Sequence, residues 1–318
     1  MHVSEGPDKL LVPQGAEYCS DIKPQPQTGQ LWEKVLWKQQ PFPDSYTPPS
    51  FLVELVVNAA VPRRQYWPVV LSSCAITQQL AVVVASCAVA AQLKAGILDA
   101  THLLLTCTLL MTAGYITCAA LGGHLLGGSL VRGARQGALL VGGVACLSPM
   151  LRTLAATIAT DSIIALSVAL MTAHLFLHDY NFVNSVTDRL SGALALAAAV
   201  LASVLLSSTM PSELHVFAQV LFSLLSFMLS PFVRRYIRAA SASCHVATTA
   251  GIVCAAAWLL VPLSLNASSL FMACVFALTF VCPALLVSIH KYKAKINGPW
   301  DEAVPHIPRH LHLPPVLA

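Results

Sequence analysis

Hydrophobic and polar residues fall in long blocks along this chain, without the short alternation of a soluble helix or strand. From residue 68 onward, apolar runs recur at 68–91, 97–121, 136–158, 163–178, 190–210, 214–233, 246–265 and 269–289. A helix rises about 1.5 Å per residue, so roughly 20 residues cross the ~30 Å of bilayer hydrocarbon. Within lipid, a helix satisfies every backbone amide inside its own segment. The pattern therefore predicts an all-α polytopic membrane protein with about eight transmembrane helices. The fourth run is the shortest, with room to extend toward Phe182.

The flanks read differently. Residues 1–30 are polar and rich in Pro and Gln, so they are expected to be disordered. They contain no apolar stretch, so no cleavable signal peptide is expected and insertion falls to the first spanning helix. Over 31–40, Leu31, Trp32, Val35 and Leu36 share one helical face, with Glu33, Lys34 and Lys38 turned away. That suits a short helix lying on the membrane surface or docked on a partner. Pro41, Pro43, Pro48 and Pro49 then impose an extended connector, and 51–58 reads as a second short amphipathic segment. The expected organisation is a cytosolic N-terminal segment (1–67), an eight-helix transmembrane domain (68–289) and a cytosolic C-terminal tail (290–318).

Composition agrees with the pattern. Hydrophobic residues make up 56% of the 318 and charged residues only 10%, against about a quarter charged in a soluble domain. The placement of charge fixes orientation. With the N-terminus in the cytosol and eight crossings, Lys94 and Arg152 are the only two of the 18 basic residues that fall on the far side. This satisfies the positive-inside rule and places both termini in the cytosol. Of the ten cysteines, all but Cys19 and Cys244 lie in apolar runs without metal-binding spacing, as packing residues do. The dense glycines from Gly122 to Gly143 suit close helix approach.

Four constellations interrupt the apolar background. The first is the stretch from Trp32 to Tyr46, with Pro41, Phe42, Pro43 and Asp44 as candidates for docking a partner. In the second, Pro149 should kink the third helix. Arg152 at that helix's far end and Asp161 at the start of the fourth are expected to face each other, as a structural pair or a ligand site. In the third, His174 and His178 are four apart and share a face, followed by Asp179 and Tyr180. Two histidines without a third ligand make a poor zinc site, so hydrogen bonding between helices or contact with a lipid headgroup is expected. A carboxylate at Asp179 can accept hydrogen bonds from a lipid headgroup, pair with Arg189 or a partner's basic residue, or simply cap a helix end. The fourth is Gly298, Pro299, Trp300, Asp301 and Glu302, a Gly-Pro turn and interfacial Trp suited to a docking tail. No catalytic, metal or cofactor motif is visible, and none is expected.

Taken in order, QPFPDSY, FLVEL, QYW, TQQL, SPMLRTL, TDSIIALSV, HLFLHDY, MPSELHVFA and INGPWDEA carry a resemblance. Across roughly 31–303, the chain resembles the PIG-C family, the C subunits of the phosphatidylinositol N-acetylglucosaminyltransferase complex. That resemblance implies a non-catalytic, multi-pass component of the endoplasmic reticulum membrane. A separate catalytic partner, the A subunit, would transfer N-acetylglucosamine from UDP-N-acetylglucosamine to phosphatidylinositol, the first step of GPI-anchor synthesis. Subunits H, P, Q and Y would be further partners. Two rivals remain: a lipid scramblase or transporter, which the lack of an internal repeat disfavours, and a chain supplying catalytic groups through Asp161, His174 or Asp179.

The topology is directly testable. Glycosylation acceptors engineered into the 94–102 loop are expected to be modified, and acceptors at either terminus are not. The native acceptor pattern Asn266-Ala267-Ser268 is expected to stay unmodified, because its loop holds it against the bilayer. A glycosylated C-terminal tag contradicts the eight-span orientation.

Overall fold

The computed structural model describes residues 64–122, 128–155, 157–186 and 192–290, with isolated positions between 33 and 57 and at 296–297. The chain divides into two units, Met1–Val61 with Ala294–Ala318, and Pro62–Lys293.

Among its described residues the regular elements of the larger unit are all helices: α1 Tyr66–Lys94, α2 Ala100–Leu121, α3 Gly128–Thr153, α4 Thr160–Leu177, α5 Tyr180–Val183, α6 Ala193–Ser207, α7 Glu213–Leu224, α8 Ser230–Ala240, α9 Ala242–Leu260, α10 Leu265–Phe276 and α11 Cys282–His290. Helices α7 and α8 form one continuous rod, as do α10 and α11, each through a π-helical turn. Among the described residues seven helices are long and apolar enough to cross a membrane. The fifth apolar run differs from expectation. Helix α6 has 15 residues, about 22 Å at 1.5 Å per residue, which is short of the hydrocarbon thickness. Outward faces carry Trp258, Leu194, Phe176 and Leu139, each more than two-thirds exposed. In water such surface would be a liability; against acyl chains it is the expected finish.

Proline explains both π turns. Pro231 and Pro283 have no N–H and collide with the carbonyl four residues back. The ladder widens ahead of each, over Leu225–Leu229 and Ala277–Val281. The loosened carbonyls find other donors: Thr279 O accepts from Ser73 Oγ at 3.5 Å and Phe280 O from Tyr66 Oη at 3.4 Å. Pro149 is handled differently. Helix α3 runs on through it, and the Ser148 hydroxyl donates to the Ala145 carbonyl that Pro149 cannot serve (3.0 Å).

Helix α1 is the axis of the unit, with two-thirds of its most apolar stretch buried. Its Val82 and Val83 join Met171, Ala199, Ala202 and Phe227 in one apolar cluster, and Val89, Ala90 and Leu93 join Leu103, Cys107 and Leu221 in another. Within this apolar setting Thr77, Gln78 and Gln79 are all buried. Successive residues on a helix turn by about 100°, so the three point at different neighbours. Thr77 Oγ1 lies 2.9 Å from Thr279 Oγ1, Gln78 Nε2 donates to Thr249 Oγ1 on α9 at 2.8 Å, and Gln79 meets α4 and α8.

In the smaller unit, Val56–Val57 and Ile296–Asn297 form an antiparallel pair, with Val56 opposite Asn297 and Val57 opposite Ile296. Val56 and Val57, within the amphipathic segment expected at 51–58, are thus extended, as β-branched neighbours favour, and the other positions of that segment lie outside the described residues. The surface helix expected over 31–40 is likewise absent at its described positions. Gln40 instead clasps the Glu33 backbone, accepting from its N–H at 2.9 Å and donating to its carbonyl at 2.7 Å. The expectations for 1–30 and for the tail beyond 297 lie outside the described residues.

The triplet generates an ordered prediction. Thr77→Val, nearly isosteric, should lower stability by about 0.6 kcal/mol, a typical value for one hydrogen bond between membrane helices. Gln79→Leu should cost about 1.5–3 kcal/mol, because it removes an acceptor from a buried cation. Unfolding titrations in detergent will rank the two, and equal losses contradict the assignment.

Candidate functional site

The site grows from the end of α4. His174 and His178 lie on one inward stripe, 1% and 8% exposed, with ring centroids 5.3 Å apart. The His174 ring meets Phe227 edge-on at 5.0 Å, and His178 meets Tyr180 at 5.0 Å. After α4 the chain turns back on itself. The Tyr180 hydroxyl donates to Leu175 O at 2.6 Å, and Asp179 caps α5 by accepting from the Phe182 N–H at 3.3 Å. Phe182 and Val183 pack on Ala75 of α1, and Asn184 Nδ2 donates to Ser72 O at 3.2 Å. From α8, Arg235 stacks its guanidinium 4.8 Å over the Phe182 ring and donates to Phe182 O at 3.1 Å.

A single hydrogen-bonded chain runs through the centre. Arg234 Nη2 donates to Gln79 Oε1 at 2.6 Å, Gln79 Nε2 donates to His174 Nε2 at 2.6 Å, and His174 Nδ1 lies 2.7 Å from the Ala195 carbonyl. A carbonyl only accepts, so the His174 proton resides on Nδ1 and Nε2 is free to accept from Gln79. The amide of Gln79 must then turn its oxygen to Arg234. Each member fixes the orientation of the next, and four helices, α8, α1, α4 and α6, are joined by three bonds.

Arg234 is the unusual member. It is 2% exposed, and its Nε and Nη1 have no hydrogen-bond partner. Among the described residues no carboxylate lies within ion-pair distance of it. His178 Nε2 is also without a partner. Just past the end of the span, burial and then the charge of Arg234 hold the His178 imidazole well below its ordinary range, and burial pushes the Tyr180 phenol up to about 12. Both groups therefore stand neutral beside a buried cation.

The other sequence candidates disperse. Arg152 does not face Asp161: its Nη1 lies 3.9 Å from Glu213 Oε1 at the start of α7, with both side chains about half exposed. Asp161 is exposed in the first turn of α4. Helix α7, which carries Glu213, packs along α3. Pro41 and Phe42 are described, with Phe42 4.5 Å from the Tyr46 ring. Trp32, Pro43, Asp44, Gly298, Pro299, Trp300, Asp301 and Glu302 lie outside the described residues. Sequence reasoning placed Arg234 among the cytosolic surface charges and gave Gln79 no role. One signal was available: Phe227, Pro231 and Arg234 follow helical spacing on one face, and all three are buried.

The chain is similar to known proteins over most of its length. Residues 32–301 match the GPI2 family, described as phosphatidylinositol N-acetylglucosaminyltransferase. A Dictyostelium discoideum chain named as the C subunit of this transferase is 35% identical over 272 residues, covering 86% of this chain and 79% of its own length. The C subunit from Homo sapiens is 32% identical over 278 residues, 86% of this chain and 92% of its own. The GPI2 subunit of Schizosaccharomyces pombe is 28% identical over 297 residues, 87% of each. No solved structure matches. With the matched segment reaching from the N-terminal connector to the C-terminal tail, the chain belongs to the GPI2 family, whose members include the C subunits of phosphatidylinositol N-acetylglucosaminyltransferase.

Proposed function

We propose that this chain is the multi-pass, non-catalytic subunit of a complex that transfers N-acetylglucosamine from UDP-N-acetylglucosamine to phosphatidylinositol, the first step of GPI-anchor biosynthesis. The observation that carries the reading is the family match over 32–301. The human and fission-yeast relatives are named as subunits of this transferase. The role is to hold the catalytic subunit at the bilayer and to present the acceptor lipid. The described helices support it: their outward faces are apolar, whereas a water-soluble nucleotide-sugar donor calls for a folded aqueous domain supplied by a partner. Subunits A, H, P, Q and Y are the partners in this reading, the membrane is that of the endoplasmic reticulum, and both termini face the cytosol. An eighth crossing runs through α6. Trp32, Pro41 to Asp44 and Gly298 to Glu302 dock partners.

The test is transferase activity in membranes from cells lacking this chain, complemented with wild type or Trp300→Ala. Deletion should lower transfer of labelled N-acetylglucosamine to phosphatidylinositol at least tenfold. Trp300→Ala should reduce co-purification of the catalytic subunit. Full activity without the chain contradicts the scaffold role, and lipid translocation by the purified chain alone supports a scramblase instead.

A further inference from the structure

Arg234 poses a problem in physical chemistry that the fold does not solve by itself. A guanidinium stays charged in proteins, and an uncompensated charge within a bundle is strongly disfavoured. Ionisable groups at membrane depth are paired or belong to a functional site. Here the side chain is 2% exposed, one nitrogen is bonded to Gln79, and Nε and Nη1 keep unused N–H groups. The groups that meet Arg234 and its hydrogen-bonded chain are neutral or apolar, Gln79, His174, His178, Tyr180 and Phe227, and the neighbouring carboxylate, Asp179, acts on His178 and caps α5 without pairing with Arg234. His178, 8% exposed, adds a second unpartnered nitrogen, Nε2.

We propose that the missing counter-charge is the phosphodiester of a phospholipid, held by Arg234 and His178, with a hydroxyl-bearing headgroup placed over α5. This inference rests on the acceptor-lipid role proposed above and names its site. A phosphodiester carries a single negative charge, which matches the one positive charge of Arg234. Guanidinium N–H groups pair well with phosphate oxygens. The location fits, because His178 directly follows the last residue of α4, at the level where a spanning helix meets headgroups. Directly after His178 the chain enters α5, only four residues long and followed by Ser185 in the left-handed region at φ 61°. Side-chain hydrogen bonds from Tyr180, Asn184 and Arg235 hold this segment down. The site is closed in this structure, and α5 is the piece that must lift to admit a headgroup.

The experiment measures lipid binding to the purified full chain by native mass spectrometry and by thermal shift. The probes are phosphatidylinositol, phosphatidylcholine and inorganic phosphate. Wild type should bind phosphatidylinositol in preference to phosphatidylcholine and show no shift with inorganic phosphate. Arg234→Gln keeps a hydrogen-bonding group beside Gln79 but removes the charge, and should lose at least tenfold in affinity. His178→Ala leaves the Arg234–Gln79–His174 chain intact and should lose severalfold, which keeps the test open if Arg234→Gln fails to fold. Unchanged affinity in both variants overturns the proposal. So does an equal shift with inorganic phosphate, which makes this a free-anion site. Loss of a partner from Arg234→Gln with lipid affinity intact also overturns it, and assigns the counter-ion to that partner's carboxylate. Failure of the transferase reading appears separately, as wild-type chain that does not co-purify with a catalytic subunit.

Discussion

Three consecutive polar side chains at the centre of α1 are the constraint around which this membrane bundle is organised. In lipid there is little hydrophobic preference for one helix neighbour over another, so packing and hydrogen bonds must specify the arrangement. Thr77, Gln78 and Gln79 provide that specification in three directions, toward Thr279, toward Thr249 of α9, and toward His174 and Arg234. A register shift of any of these helices would leave an amide or hydroxyl unpaired in an apolar interior, at a cost of kilocalories. The π turns serve the same end. Pro283 loosens the carbonyls that Ser73 and Tyr66 of α1 then reach.

The same economy explains why the polar centre sits where α4 ends. His174 can bridge Gln79 and the Ala195 carbonyl only if α6 lies against α4, as it does. That contact holds α6 in place although the helix is short. Downstream, the turn through Asp179 and Tyr180 is folded onto α1 and α8 by hydrogen bonds from Tyr180, Asn184 and Arg235. A buried cation with unused donors is thereby positioned beneath a four-residue cover. Apolar packing alone could not have produced this arrangement, because an uncompensated arginine weakens the bundle unless something else binds it.

Much of this was legible in the chain, and the exceptions have physical causes. Apolar runs near the length that a bilayer demands locate the seven helices that are long and apolar enough to span it, because lipid imposes that length. The inward stripe of His174 and His178 follows from spacing by four. The burial of Arg234 was hidden because a count of basic residues by side says nothing of depth, whereas its face is shared with Phe227 and Pro231. The Arg152–Asp161 pair failed for a related reason. Nearness along the chain is a poor guide to pairing when a neighbouring helix, α7, brings Glu213 closer. At the described positions of 31–40 and 51–58, amphipathic spacing is weak over so few residues, and a local clasp such as Gln40 on Glu33 or a β pair overrides it.

The central claim is that Gln79 and Arg234 act as one unit on which the bundle and its site both depend. A double-mutant cycle with Gln79→Leu and Arg234→Met, followed by detergent-induced unfolding of the full chain, measures this most directly. Once the cation is gone, losing Gln79 should cost only its remaining bond to His174, so the double variant should be more stable than the sum of the two single losses predicts. The coupling is expected to exceed about 1 kcal/mol. Losses that add to within about 0.3–0.5 kcal/mol would mean that the two residues act independently, and would contradict the account.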